Sequence, residues 1–326
     1  MKSLLTVALI IFPIFCFAQA QNVFFLKNDG TLVVSKDSAD YIRVISEPDK
    51  GSELFNVVEY YKSGKRKAVG KSVVMNSASF DGVKLTFFEN GRRKSTETFD
   101  KGVLTGESDD YFPNGKLYLH KKHIITETPQ PETKWPLRKS EFTITEGYDS
   151  TGVKQITDGN GILKIYNSSF TAVSEEGSVK NGKREGEWSG RDELNNATFK
   201  ETYSNGELVA GSANFNGITS TYTKNRFTNP EFPDGDMGFG RFLVRTVRYP
   251  ADAREQNKTG IVISGFTITK AGDVADIEVI FSAGKSLDDE AVRSIKMSPK
   301  WKPATKYGQQ VSAKYNVPLT FNLQTN

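Results

Sequence analysis

One short pattern recurs through the middle of this chain and restricts what it can fold into. An aromatic or β-branched residue is followed by two polar residues, then glycine, then usually a basic residue. It reads Tyr61-Lys62-Ser63-Gly64-Lys65, Phe88-Glu89-Asn90-Gly91-Arg92 and Phe112-Pro113-Asn114-Gly115-Lys116. It returns as Val179-Lys180-Asn181-Gly182-Lys183 and Tyr203-Ser204-Asn205-Gly206-Glu207, with a one-residue insertion at Tyr148-Asp149-Ser150-Thr151-Gly152-Val153. Asn-Gly accepts the positive φ angles that tight hairpins demand. Alternating stretches such as Val83-Lys84-Leu85-Thr86-Phe87 lie between the turns, and a period of two marks half-buried strands. The turn glycines follow one another at 27, 24, 37, 30 and 24 residues. That spacing predicts an all-β antiparallel array of hairpins over 57–220, either a stacked repeat or an irregular antiparallel sheet.

The N-terminus reads as a secretory signal peptide over 1–20, with Lys2, an apolar run from Leu4 to Phe17, and Ala18-Gln19-Ala20 for cleavage. About 15 residues of helix reach roughly 22 Å, short of a bilayer core of roughly 30 Å. The expectation is export to a periplasm or cell envelope, with membrane contact only through partners or an uncleaved signal. The single cysteine, Cys16, leaves with that segment, so no disulfide or thiol chemistry is expected of the mature chain. The formal charge of +4, one unit of it from Lys2, is near neutral for 326 residues and argues against a nucleic-acid partner. Residues 21–56, with Asp29-Gly30 between Val23–Leu26 and Thr31–Val34, suggest a capping hairpin. The prolines of 121–140 suggest a linker.

The last part, 230–326, changes character to α+β, in the order helix, two strands, helix, strand. Pro250 opens a short helix over about 251–256, and Gly260 ends it. A strand over 261–269, a turn at Gly272 and a strand over 276–281 make a hairpin. Ser286 is expected to cap a helix whose face is Leu287, Ala291, Val292 and Ile295. Pro299 stops that helix, and a strand from Val311 to Leu323 follows. Pro318 cannot donate to a ladder, so this strand should lie at an edge.

Tyr249-Pro250, Gly260, Gly272, Leu287-Asp288, Trp301-Lys302-Pro303 and Val317-Pro318 together resemble the C-terminal domain of TonB-type energy transducers. The resemblance implies a module that recruits a TonB-box-like peptide of an outer-membrane receptor, or another envelope protein, by strand addition. Carried onto this chain, the receiving edge is Gln310, Val311, Ser312, Ala313, Lys314, Tyr315, Asn316, Val317, Pro318 and Leu319. Trp301 and Pro303 match the family's Trp-x-Pro signature and are expected to pack at the start of that strand. Gly182-Lys183-Arg184-Glu185-Gly186-Glu187-Trp188 resembles MORN-type and YwqK-like repeats, implying a spacer or contact surface. A full transducer also carries a long uncleaved N-terminal helix and a Pro-rich arm. Neither is legible here, so direct energy transduction is not expected.

Other chemistry is weak. His120-Lys121-Lys122-His123 holds both histidines, but two lysines between them disfavour a cation, and an exposed loop is expected. No metal, no cofactor and no catalytic group is assigned. The reading is a non-enzymatic binding protein. Its alternative is a structural repeat protein whose terminal module caps the array or forms a homodimer through the same edge.

Overall fold

In a computed structural model of the chain, residues 21–130 and 136–323 are described. The predicted signal peptide, and Trp135 of the predicted linker, lie outside them. The first strands are β1 (Gln21–Leu26), β2 (Leu32–Val33), β3 (Tyr41–Ser46), β4 (Phe55–Tyr61), β5 (Arg66–Ser72) and β6 (Gly82–Phe87). They continue as β7 (Arg93–Asp100), β8 (Val103–Tyr111), β9 (Leu117–Thr128), β10 (Leu137–Tyr148), β11 (Lys154–Thr157) and β12 (Asn160–Tyr166). Then come β13 (Val173–Lys180), β14 (Lys183–Asp192), β15 (Ala197–Ser204), β16 (Glu207–Phe215), β17 (Ile218–Tyr222) and β18 (Phe227–Thr228). The C-terminal region is α1 (Gly235–Thr246), α2 (Ala251–Glu255), β19 (Gly260–Ile268), β20 (Val274–Phe281), α3 (Lys285–Lys296), β21 (Ala304–Lys306), β22 (Gln309–Val311) and β23 (Ala313–Phe321).

Strands β1–β17 form one 17-stranded antiparallel sheet. It is a meander: β1 pairs with β2 and β3, and from β3 each strand pairs with the next, as in β4–β5, β8–β9 and β15–β16. The repeating turn pattern resolves into two geometries. At Gly64, Gly91, Gly115 and Gly152 only the glycine has positive φ. Its N–H donates to the residue three before it, as from Gly91 to Phe88 at 2.8 Å. These are three-residue hairpin loops, and a register shift lies beside each, as at Thr86/Phe87. At Asn181-Gly182, Asn205-Gly206 and Asn216-Gly217 both residues have positive φ, the two-residue turn that Asn-Gly favours.

Three of these turns, those at Gly91, Gly115 and Gly152, are also joined in series. Asn90 Oδ1 accepts from its own turn's Arg92 N at 2.9 Å, while Asn90 Nδ2 donates to Pro113 O at 2.9 Å in the next. Asn114 repeats this, accepting from Lys116 N at 3.0 Å and donating to Ser150 O at 2.8 Å.

Three expectations need correction here. Residues 121–128 and 137–140 of the expected linker belong to strands: β9 and β10 are twelve residues each, paired from Leu119↔Gly147 to Thr128↔Leu137. The histidines are not in a loop but in β9. The C-terminal order contains a helix the sequence did not reveal, α1, and the last strand is interrupted.

Contacts divide the chain into two compact units, one of residues up to 163 with 179–183, the other of 164–178 with 184 onward. In the first, Ile45, Val57 and Phe80 make a core with Phe24, Phe55 and Phe99 around it. In the second, Ala197, Phe199, Ala213, Phe215 and Tyr222 of the sheet share a core with Tyr307. A larger core lies under the C-terminal sheet, with Val262, Ile268, Leu287, Ala291 and Ile295 fully buried.

Candidate peptide-binding edge

β19 is the middle strand of a three-stranded sheet, between β20 and β23. Its pairing with β23 runs in unbroken register from Gly260↔Phe321 to Ile268↔Ala313. Against β20 the register slips twice, at Ile263/Ser264 and Gly265/Thr267, and Asp276 takes φ 48°. The sheet therefore has one bulged edge and one straight edge. Bulges deter further pairing, whereas a straight edge invites it. Among the described residues, no further strand pairs with β23.

Pro318 stands opposite Ile263 inside this ladder. It has no amide hydrogen, so it fits a continuous ladder only where its nitrogen points away from the neighbour. Alternation then turns the backbone groups of Lys314, Asn316, Pro318 and Thr320 outward, and those of Tyr315, Val317, Leu319 and Phe321 toward β19. The side chains alternate in step: Leu319 and Phe321 are buried, Tyr315 and Val317 half-buried, and the four others exposed. The open edge thus offers three donors and four acceptors.

Gln310, Val311 and Ser312 are placed differently from expectation. Gln310 pairs with Thr305, and Val311 with Ala304, inside a separate sheet of β18, β21 and β22. Ser312 forms the corner, its Oγ accepting from Lys270 N at 3.2 Å. The straight edge therefore begins at Ala313.

Behind the edge sits an aromatic cluster. Trp301, 4% exposed, meets Phe239 at 4.8 Å, Tyr315 at 5.2 Å, Phe232 at 5.3 Å and Phe266 at 6.1 Å between ring centroids. Its Nε1 donates to Ser298 Oγ at 2.8 Å. Phe232 and Phe239 come from the chain around α1. That helix escaped sequence reading because Gly235, Gly238 and Gly240 depress its propensity. Trp301 N donates to Gly272 O at 2.9 Å. A Cβ on Gly272 would stand 2.1 Å from Trp301 O, and its φ is +85°, so only glycine fits.

The remaining motif residues have structural places. Pro250 precedes α2 as its N-cap. Tyr249 donates its hydroxyl to Lys258 O and meets the Phe321 ring at 5.9 Å. Gly260 opens β19 rather than closing the helix. Leu287 is 0% exposed on α3. The expected Ser286 cap is not formed; Gly284 precedes α3 without a side-chain cap. Asp288, in the first turn, instead reaches back to the chain before the helix, accepting from Ala283 N at 3.1 Å and Ser282 Oγ at 2.5 Å. Pro303 is half-buried just before β21. Ile277 and Val279 pack on the core as expected, but Phe281 is 59% exposed.

The sequence reading missed a second feature in the hairpin just before β23. Tyr307-Gly308, both at positive φ, turns β21 into β22. The Tyr307 ring is fully buried among Phe199, Phe215, Tyr222 and Phe227, with centroids 5.1–6.2 Å away. Its hydroxyl donates to Asp192 Oδ2 at 2.8 Å, and Ser220 Oγ donates to its carbonyl at 2.7 Å. Burial and the Asp192 carboxylate raise the phenol well above its ordinary value, while Asp192 is held low against burial by Asn195 and Tyr307. Gln309 Nε2 donates to Phe215 O and Ile218 O, each at 3.1 Å, beside the last strand of the long sheet.

A buried charge cluster adjoins this socket. Arg226 grips Glu201 at 2.6 and 2.5 Å and Glu175 at 2.7 and 3.2 Å, and its carbonyl accepts from Tyr307 N at 2.6 Å. Tyr222 and Tyr203 donate to Glu201 at 2.7 and 2.9 Å. Burial opposes charge on Glu175, but Arg226 and Arg184 outweigh it and lower its pKa. Every member has a partner, as a charge cluster in low dielectric requires.

The histidines lie on opposite faces of β9, since they stand three positions apart in a strand. His120 Nδ1 is 2.7 Å from Asp109 Oδ1 of β8, a carboxylate remote in sequence. His123 is buried between Ser108 Oγ at 2.8 Å and Ser140 Oγ at 3.3 Å. Its pKa is lowered by burial and by Lys121.

Compared with known families, residues 245–323 match the one described as Gram-negative bacterial TonB protein C-terminal. This segment is a TonB C-terminal domain. The match takes in α2, β19–β23 and α3, and leaves nearly all of α1 outside. The TonB C-terminal domain is thus supplemented here by Phe232 and Phe239 from preceding chain, and by a socket for Tyr307 in the sheet. No curated protein matches the chain. Among the described residues, no helix is long and apolar enough to cross a membrane.

Proposed function

We propose that this is a non-enzymatic protein of the cell envelope that captures an extended segment of an outer-membrane receptor on the outward edge of β23. TonB C-terminal domains bind outer-membrane receptors generally. The observation that carries the reading is the straight, unpaired β23 edge beside a bulged β20 edge. Seven backbone bonds at roughly 0.5–1.5 kcal/mol each contribute about 3.5–10 kcal/mol. Association costs at least about 4 kcal/mol. Affinity from backbone pairing alone is therefore about tens of micromolar or weaker, a grip suited to repeated release. The hairpins at 57–220, MORN-like in their turn spacing, then act as spacer or contact surface.

The test is titration of the isotope-labelled full chain with a synthetic TonB-box-like receptor peptide. Amide shifts centred on Lys314, Asn316 and Thr320 are expected. No shift there at about millimolar peptide would reject capture.

A second role is favoured by a separate observation. Gln309 and Tyr307 cover carbonyls and aromatics at the last strand of the long sheet, so the module also caps that sheet. Lys314→Pro separates the two roles: it removes an outward donor and should abolish capture while leaving the cap intact.

A further inference from the structure

We infer that Pro318 makes the β23 edge discriminate against a second copy of itself, keeping it open for a foreign strand. The argument is one of symmetry. Two copies of the nine-residue β23, paired antiparallel over their whole length, share a two-fold axis at Val317. Lys314 then faces Thr320, and Asn316 faces Pro318, each twice. Four outward positions on each copy would give eight bonds. Pro318 deletes one in each half, leaving two Asn316 carbonyls without donors. A foreign strand on the same edge loses only one bond. Shifting the register to avoid Pro318 shortens the overlap to the Lys314–Asn316 end or the Thr320 end. The penalty against self-pairing is therefore twice that against a guest. Nothing else on this edge deters it: Lys314 is its single charge, and the register is unbroken.

The inference stands on edge geometry alone, so its failure and the failure of receptor capture are distinguishable. The experiment is Pro318→Ala in the full chain, followed by sedimentation equilibrium and amide hydrogen exchange. Two restored bonds should tighten self-association about 5- to 150-fold over the natural chain. Adding Lys314→Pro to Pro318→Ala should reverse the gain. Exchange gives an independent readout. The new amide at 318 should exchange rapidly in dilute, monomeric protein, because it faces solvent. Two results would each overturn the inference. One is an amide at 318 protected as strongly as Val317, placing it against β19. The other is unchanged sedimentation of the Pro318→Ala chain, whose fold the exchange pattern checks.

Discussion

Tyr307 occupies a backbone position that suits asparagine or glycine, and the reason can be measured. Its φ of 50° resembles those of Asn181, Asn205 and Asn216 in the other two-residue turns. For a residue like tyrosine that conformation costs roughly 1–2 kcal/mol. The ring must contribute more than that, and full burial among four aromatic side chains supplies it. Tyr307→Ala should destabilise by about 3–5 kcal/mol, as for other aromatic truncations in cores. Tyr307→Asn keeps a residue the turn prefers while deleting the ring, so its loss should be smaller by the turn cost, at about 1–4 kcal/mol. Tyr307→Phe removes only the donor to Asp192, which keeps Asn195, and should cost about 1–3 kcal/mol. Urea unfolding resolves these, with two buried reporters: Trp188 in the sheet and Trp301 in the TonB C-terminal domain. With the other tryptophans changed to phenylalanine in turn, both midpoints should fall together, because Tyr307 stands on a hairpin of the TonB C-terminal domain and packs into the core of the sheet. A Tyr307→Asn variant within about 0.5 kcal/mol of the natural chain, or a shift confined to Trp301, would refute the reasoning.

Arg226→Ala should cost about 3–5 kcal/mol by urea unfolding, since it leaves Glu201 buried without its counter-charge. His123 is buried with a lowered pKa, so its contribution to stability is full above its unfolded value near 6.5 and is lost as pH falls toward the folded value. Stability should fall as pH drops below about 6.5, and His123→Gln should flatten that slope. Gly272→Ala should cost more than about 1 kcal/mol and alter Trp301 fluorescence, because the new methyl meets a backbone carbonyl that cannot yield.

Local chemistry was what the sequence displayed well. Asn-Gly pairs and alternating strands announced the hairpins, and Pro318 announced an edge, because each acts through its own backbone. Similar strings nonetheless hid two turn types: Phe88-Glu89-Asn90-Gly91 and Tyr203-Ser204-Asn205-Gly206 read alike, yet only the second places its asparagine at positive φ. The Tyr307 socket was invisible because its partners, Asp192 and Ser220, lie 115 and 87 positions away. The histidines misled for the same reason, since Asp109, Ser108 and Ser140 are neighbours only once β8–β10 pair. Ser286 looked like a cap because spacing alone does not show whether Asp288 will reach back first.

The asparagine links from turn to turn carry a consequence for how such a chain can change in length. Asn90 reaches Pro113 and Asn114 reaches Ser150 only because successive loops of this kind return to the same rim. An insertion or deletion of one strand would send every later loop to the opposite rim and sever the chain of links. Growth or shrinkage is tolerated in pairs of strands alone, so relatives that keep these asparagines should differ from this protein by an even number.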